Sequence, residues 1–208
     1  MNRTVFFLLI AFAFSSVAAD KKKGEKFGDK LKPFVENFKG RGALPDGSKP
    51  LPPAETVKNF KLAEGLAMQV VAHEPAVAQP LNMYFDERGR MWVTQYLQYP
   101  FPAGVKILEY DKYLRAIFDK VPPAPPNHFR GKDKITIHED TDGDGEFDKH
   151  KTFVDGLNMA RSVITGRGGA WVLVPPYLLF YPDKNGDDIP DGNPEVHLSG
   201  FGLGDTHS

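Results

Sequence analysis

From about residue 60 onward the apolar residues come in short runs separated by clusters of Asp, Gly, Asn and Pro, the signature of strands and turns. Leu66 to Val71 predicts a first strand, closed by Glu74-Pro75. Leu81 to Phe85 and Met91 to Val93 flank Asp86-Glu87-Arg88-Gly89, so they predict two strands joined by a tight turn. Val105 to Tyr110 predicts another strand. Ile135-Thr136-Ile137 and Thr152-Phe153-Val154 bracket one polar loop, and Leu178 to Tyr181 and Val196-His197-Leu198 bracket a second. Each loop therefore reads as the turn of a β-hairpin. Asp111 to Val121 breaks the pattern: Tyr113, Leu114, Ile117, Phe118 and Val121 fall at helical spacing and predict a short amphipathic helix. Pro122-Pro123-Ala124-Pro125-Pro126 ends it.

The pattern also repeats. Ser162 to Val174 echoes the earlier strand-turn-strand, with Gly89 and Gly168 lying 79 positions apart, as do Trp92 and Trp171. The two polar loops are 43 positions apart. Interleaved repeats of about this size predict an all-β fold, specifically a partial β-propeller of two to three blades with a short helical insertion. Each blade is a small sheet that cannot bury its faces alone. Trp92 and Trp171, at equivalent points of the repeat, read as blade core before they read as a platform for a sugar. Domain boundaries follow: 1–19 a signal peptide, 20–59 a linker, 60–208 the N-terminal part of a propeller.

The polar loops carry the candidate chemistry. Asp140, Asp142, Asp144 and Asp148 stand at relative positions 1, 3, 5 and 9 of the first; Asp183, Asn185, Asp187 and Asp191 stand at the same positions of the second. Glycine holds position 4 in both, as Gly143 and Gly186. Alternating oxygen side chains around a glycine turn can converge on one hard cation, which suits Ca²⁺. An EF-hand is excluded, because position 12 is Lys151 in one loop and Pro194 in the other, not Glu.

Composition narrows the setting. The 208 residues hold 26 basic and 27 acidic side chains, so nothing in the balance points to nucleic acid. Arg3, the apolar run Val5 to Phe14 and Val17-Ala18-Ala19 read as a secretory signal, which implies an exported protein. The chain has no Cys, which excludes disulfides, thiolate nucleophiles, Cys-ligated zinc and covalent haem within these residues. Residues 20–59 combine five Pro with many Lys and few apolar side chains, as a linker does. His73, His128, His138, His150 and His197 show no spacing that suggests a shared metal.

The motifs Glu64-Gly65-Leu66, His73-Glu74-Pro75, Phe85 to Val93, Asn127 to Gly131, Ile137 to Gly145, Phe153 to Leu157 and Gly204 to Ser208 together resemble a family of membrane-bound dehydrogenases, also described as large haem-binding propeller proteins. That family is related to soluble quinoprotein glucose and sorbosone dehydrogenases. The resemblance implies a six- or seven-bladed propeller oxidising a sugar or alcohol, with pyrroloquinoline quinone as hydride acceptor and Ca²⁺ polarising it. It makes His207 the general base, and it implies a cytochrome c module as electron acceptor, with the haem c outside these 208 residues. The fragment alone is expected to be inactive. The same loops would equally serve a non-catalytic, calcium-stabilised propeller that binds a polysaccharide or a protein.

Overall fold

A computed structural model describes residues 49–204. Residues 1–19, expected to be a signal peptide, most of the expected linker and His207 lie outside them. Among the described residues a single short helix, α1 (Pro53–Lys58), starts on a proline, carries Glu55 in its first turn and Lys58 in its last, and buries nothing.

The rest of the secondary structure is β. Strands β1 (Pro80–Phe85), β2 (Met91–Gln95), β5 (Asp133–Glu139) and β6 (Lys149–Leu157) form one antiparallel sheet in that order. Strands β7 (Ser162–Thr165), β8 (Gly169–Val174), β9 (Tyr177–Pro182) and β10 (Glu195–Ser199) form a second with the same meander. The two sheets match strand for strand. They differ at one joint: β8 passes to β9 through Pro175-Pro176 alone, whereas residues 96–132 separate β2 from β5. That insertion is why the tryptophans repeat at a longer interval than the Asp loops do.

Burial follows the strand period. Trp92, Ile135, Ile137 and Phe153 of the first sheet pack against Val163, Ala170, Val172, Leu179 and Tyr181 of the second, forming one core. Trp92 meets Phe153 at 5.0 Å between ring centroids, and Phe153 meets Tyr181 at 6.3 Å. Polar bonds register the interface as well: Tyr84 Oη lies 3.2 Å from Thr165 Oγ1, and the Val163 amide donates to Asn82 Oδ1. All five residues of β2 are buried. A strand alternates only if one face is open; here the second sheet covers one face and residues 69–78 cover the other. The Gln95 carboxamide ties that cover down, donating to the Ala76 carbonyl and accepting from the Ala78 amide.

Two expectations fail for physical reasons. Leu66 to Val71 is not a strand: it lies across the first Asp loop, where Val71 accepts from the Phe147 amide and Gln69 Nε2 donates to the Asp144 carbonyl. Residues 111–121 are not a helix either. They complete a hairpin of β3 (Ile107–Tyr110) and β4 (Ala116–Phe118). Asp111 makes the turn: Oδ1 accepts from the Tyr113 and Arg115 amides, and Oδ2 accepts from Arg115 Nε. Asp86 does the same between β1 and β2, with Oδ1 accepting from the Arg88 and Arg90 amides and Oδ2 from Arg90 Nε. The left-handed fourth position is Gly89 in one turn (φ 76°) and Leu114 in the other (φ 65°). An aspartate that captures its own backbone outcompetes the helix that the apolar spacing would favour.

Candidate metal centre

The first Asp loop joins β5 to β6 and the second joins β9 to β10, so they occupy the same place in equivalent sheets. Four of their internal bonds are also the same. The position-6 amide donates to the second oxygen of the position-1 aspartate (Gly145 to Asp140, 2.8 Å; Asp188 to Asp183, 3.0 Å). The position-5 amide donates to the position-3 side chain (Asp144 to Asp142; Asp187 to Asn185), and the position-7 amide to position 5 (Glu146 to Asp144; Ile189 to Asp187). The position-2 amide donates to position 9, Thr141 to Asp148 and Lys184 to Asp191. Four bonds therefore recur in two segments that share positions 1, 4, 5 and 9 and differ at the other five. Gly143 and Gly186 take φ of 79° and 69°, a backbone state that costs glycine little.

Asp140, Asp142 and Asp144 each offer a carboxylate oxygen within 4.8 Å of the others. At that separation each pair of charges repels by about 1 kcal/mol even at the dielectric of water. The donor set is all oxygen and anionic, with Asp140 partly buried and Asp142 and Asp144 exposed, which fits a hard divalent cation completed by water better than the softer metals that prefer imidazole or thiolate. Asp148 is not in this group: it closes the loop, accepting from the Thr141 amide and, at 2.6 Å, the Thr141 hydroxyl. In the second loop Asp183, Asn185 and Asp187 are drawn together, with the Asp187 amide donating to both Asp183 and Asn185 and Asn185 Nδ2 donating to Asp187 Oδ2. Asp191 holds the Asp148 role.

The sequence gives no sign of how the second loop is tied to the first sheet. Arg90 reaches across from the β1–β2 turn: its Nη1 is 2.7 Å from Asp188 Oδ2 and 3.6 Å from Glu139 Oε1, while its Nε holds Asp86 Oδ2 at 2.8 Å. Trp92 Nε1 donates to the same Asp86 oxygen at 2.9 Å. Burial alone would raise the Asp86 pKa, but the bonds from Trp92, Arg90 and Arg88 outweigh it and hold the carboxyl below its ordinary value. Lys151 adds a bond from its Nζ to the Asp187 carbonyl. One signal was available in the sequence, the spacing Asp-x-x-x-Arg at both 86–90 and 111–115; the partner Asp188 had none.

Two buried polar groups also escape a sequence reading. His138 and His150 are cross-strand partners whose Nδ1 atoms lie 2.9 Å apart, and His138 Nε2 lies 2.8 Å from Thr136 Oγ1. Burial, with His150 and Lys134 nearby, pulls the His138 pKa down to about 4. Asp133 is fully buried and accepts from the Gln98 and Ala160 amides, yet burial pushes its pKa up to about 6. Neither belongs to a metal-sized cluster among the described residues.

A sequence-family profile described as a domain of unknown function (DUF7133) matches residues 52–208. The chain belongs to this family. The DUF7133 match spans both sheets, the insertion and both Asp loops, so the whole described β region is one family unit. No curated protein and no solved structure matches the chain.

Proposed function

We propose that this DUF7133 chain is a calcium-binding module of an exported β-propeller, with one Ca²⁺ in each Asp loop and the two four-stranded sheets as consecutive blades. The observation that carries the calcium reading is the recurrence of four hydrogen bonds between loops that differ in sequence at most positions. Two turns that bound nothing would have no need to preserve the same convergence of oxygens. Asp140, Asp142 and Asp144 would hold the first ion, and Asp183, Asn185 and Asp187 the second, with Asp148 and Asp191 closing each loop. The ion would remove the repulsion within each loop and pin β5 to β6 and β9 to β10. Export, read from residues 1–19, would place the loops where Ca²⁺ is plentiful. The blade reading is supported by the strand-for-strand equivalence of the two sheets.

The test is thermal unfolding of the chain in excess Ca²⁺ and in chelator. Binding to the native state alone should raise Tm, and by about 2.7 kcal/mol of stability per site at a hundredfold excess over Kd. Asp144→Asn and Asp187→Asn, both at position 5, should each remove part of the rise. Identical melting in Ca²⁺ and chelator sinks the reading.

For the whole protein, the motif resemblance supports oxidation of a sugar or alcohol with pyrroloquinoline quinone, and His207 as base; that part rests on resemblance, because His207 lies outside the described residues. A non-catalytic role binding a polysaccharide is favoured by a cleft of about 480 Å³ between β6 and residues 190–194, lined by His128, Arg130, Phe153, Tyr181 and Asn193. Neither reading expects dye-linked sugar oxidation by this chain alone; titration with soluble polysaccharides separates them, because only the binding role predicts saturable binding that Arg130→Ala weakens.

A further inference from the structure

The two Asp loops differ at position 3, where the first has Asp142 and the second has Asn185. Asn185 is also the one asparagine of the chain that a glycine follows. Asparagine is a thermolabile amide, most of all before glycine, whose missing Cβ leaves its backbone nitrogen open to approach. Asn185 and Gly186 are both exposed. Asn158, by contrast, is buried and bonded to both the amide and the carbonyl of Ala103.

The bonding of the second loop leaves the nucleophile unengaged. In the first loop the Gly143 amide donates to Asp140 Oδ1 at 2.7 Å. In the second, the equivalent oxygen, Asp183 Oδ1, accepts from the Asp187 amide at 3.1 Å instead, and among the described residues the Gly186 amide has no acceptor. The electrophile is held in place. Asn185 Oδ1 accepts from the Asp187 amide at 3.2 Å, which polarises the Cγ carbonyl as an oxyanion donor does. Asn185 Nδ2 donates to Asp187 Oδ2 at 3.0 Å, so both ends of the carboxamide are fixed.

We infer that Asn185 is a self-modification site: the Gly186 nitrogen converts its carboxamide to a carboxylate, giving the second loop the three-carboxylate set of the first. The Gly186 nitrogen bonds to Asn185 Cγ, the Cγ–Nδ2 bond breaks, and the displaced proton leaves with Nδ2 as ammonia. Water then opens the five-membered imide, giving aspartate by attack at Cγ's side-chain carbonyl and isoaspartate by attack at the main-chain carbonyl. In sum, amide and water become carboxylate and ammonium, with no oxidant and no second protein. Aspartate at 185 reproduces Asp142. It also sets a carboxylate beside Asp187 Oδ2 where an N–H donor stood, so the loop gains repulsion without a cation and ligand charge with one. Isoaspartate instead lengthens the main chain between positions 3 and 4. The modification stands on the loop geometry; its effect on Ca²⁺ rests on the metal reading above.

The test incubates the chelator-treated chain at physiological pH and temperature, then follows the peptide holding Asn185 by mass spectrometry, with isoaspartate resolved by chromatography. Asn185 should show the mass increment of amide-to-acid exchange before any other asparagine, at a rate within a few-fold of the denaturant-unfolded chain. Gly186→Ala, whose added Cβ would meet Arg88 Nη2 at an ordinary 3.6 Å, should slow the exchange several-fold. A folded chain in which Asn185 reacts an order of magnitude more slowly than in the unfolded chain overturns the inference, and so does another asparagine reacting first. In a Ca²⁺ titration, Asn185→Asp should bind its second ion several-fold more tightly than the freshly prepared chain; equal affinity overturns the matching of the two loops. Exchange at Asn185 in a chain that binds no Ca²⁺ refutes the metal reading alone, and Ca²⁺ binding by a chain whose Asn185 persists refutes the modification alone.

Discussion

Trp92 and Trp171 occupy the same register position in two equivalent sheets, yet Trp92 is sealed in the core and Trp171 is only partly buried, on the outer face. Their energetic roles should differ accordingly. Trp92→Ala removes a core ring and the donor to Asp86, and should cost about 3–5 kcal/mol. Trp171→Ala, losing only its contacts with Phe180 and His197, should cost about 1–2 kcal/mol. Denaturant unfolding of the two variants checks the ranking, and equal losses would contradict the packing described.

Arg90 joins the first turn to the second Asp loop. Its removal strands two carboxylates, Asp86 and Asp188, at 3% and 17% side-chain exposure. Breaking a buried pair from one side costs about 3–5 kcal/mol, and the partial exposure of Asp188 puts Arg90→Met at the lower end of that range. Arg90→Lys should recover little, because a single ammonium cannot serve Asp86 and Asp188 together as the guanidinium fork does. Full recovery by lysine, read from the unfolding midpoint, would show that charge and not geometry holds this corner.

How much of this was legible follows from which residues act locally. The strand pairs, both hairpin loops and the spacing of the acidic side chains are legible in the chain, because alternation and Asp-Gly turns are local signals. The helix expected at 111–121 was misread because Tyr113, Leu114 and Ile117 imitate a helical stripe, while the deciding contacts belong to Asp111, a residue outside that stripe. Arg90 with Asp188, and His138 with His150, meet only through sheet packing or strand register, so no spacing announces them. Gln69 and Val71 read as strand residues because their neighbours are apolar, but their backbone is claimed by the first Asp loop.

Leu114 carries a left-handed backbone that Gly89 adopts freely in the matching turn. Leu114 is 56% exposed, so replacing it sacrifices little burial. Leu114→Gly should therefore stabilise the β3–β4 hairpin by about 0.5–1 kcal/mol, and Gly89→Ala should destabilise its own turn by about 1 kcal/mol. The sign of each change, measured by thermal unfolding, is the check.

Asp133 and His138 should oppose each other in pH. The folded Asp133 pKa, about 6, is above its ordinary 3.8, so the folded state binds the extra proton and stability from this group is lost as pH rises from about 4 to 6. The folded His138 pKa, about 4, is below its ordinary 6.5, so here the unfolded state binds the proton and stability is lost as pH falls over nearly the same window. Each slope is at most about 1.4 kcal/mol per pH unit, and together they nearly cancel. Removing the imidazole in His138→Gln should unmask the Asp133 slope, with stability falling as pH rises from 4 to 6 relative to the parent chain. Parallel stability–pH curves for the two proteins would show that His138 does not titrate as its burial requires.

The central claim is that the two Asp loops are metal sites, and calorimetric titration of the chelator-treated chain with Ca²⁺ tests it most directly. The prediction is two ions per chain, falling to one in Asp144→Asn and to one in Asp187→Asn, with neither substitution unfolding the sheets. No saturable binding by a folded chain, or a stoichiometry that both substitutions leave at two, would contradict it.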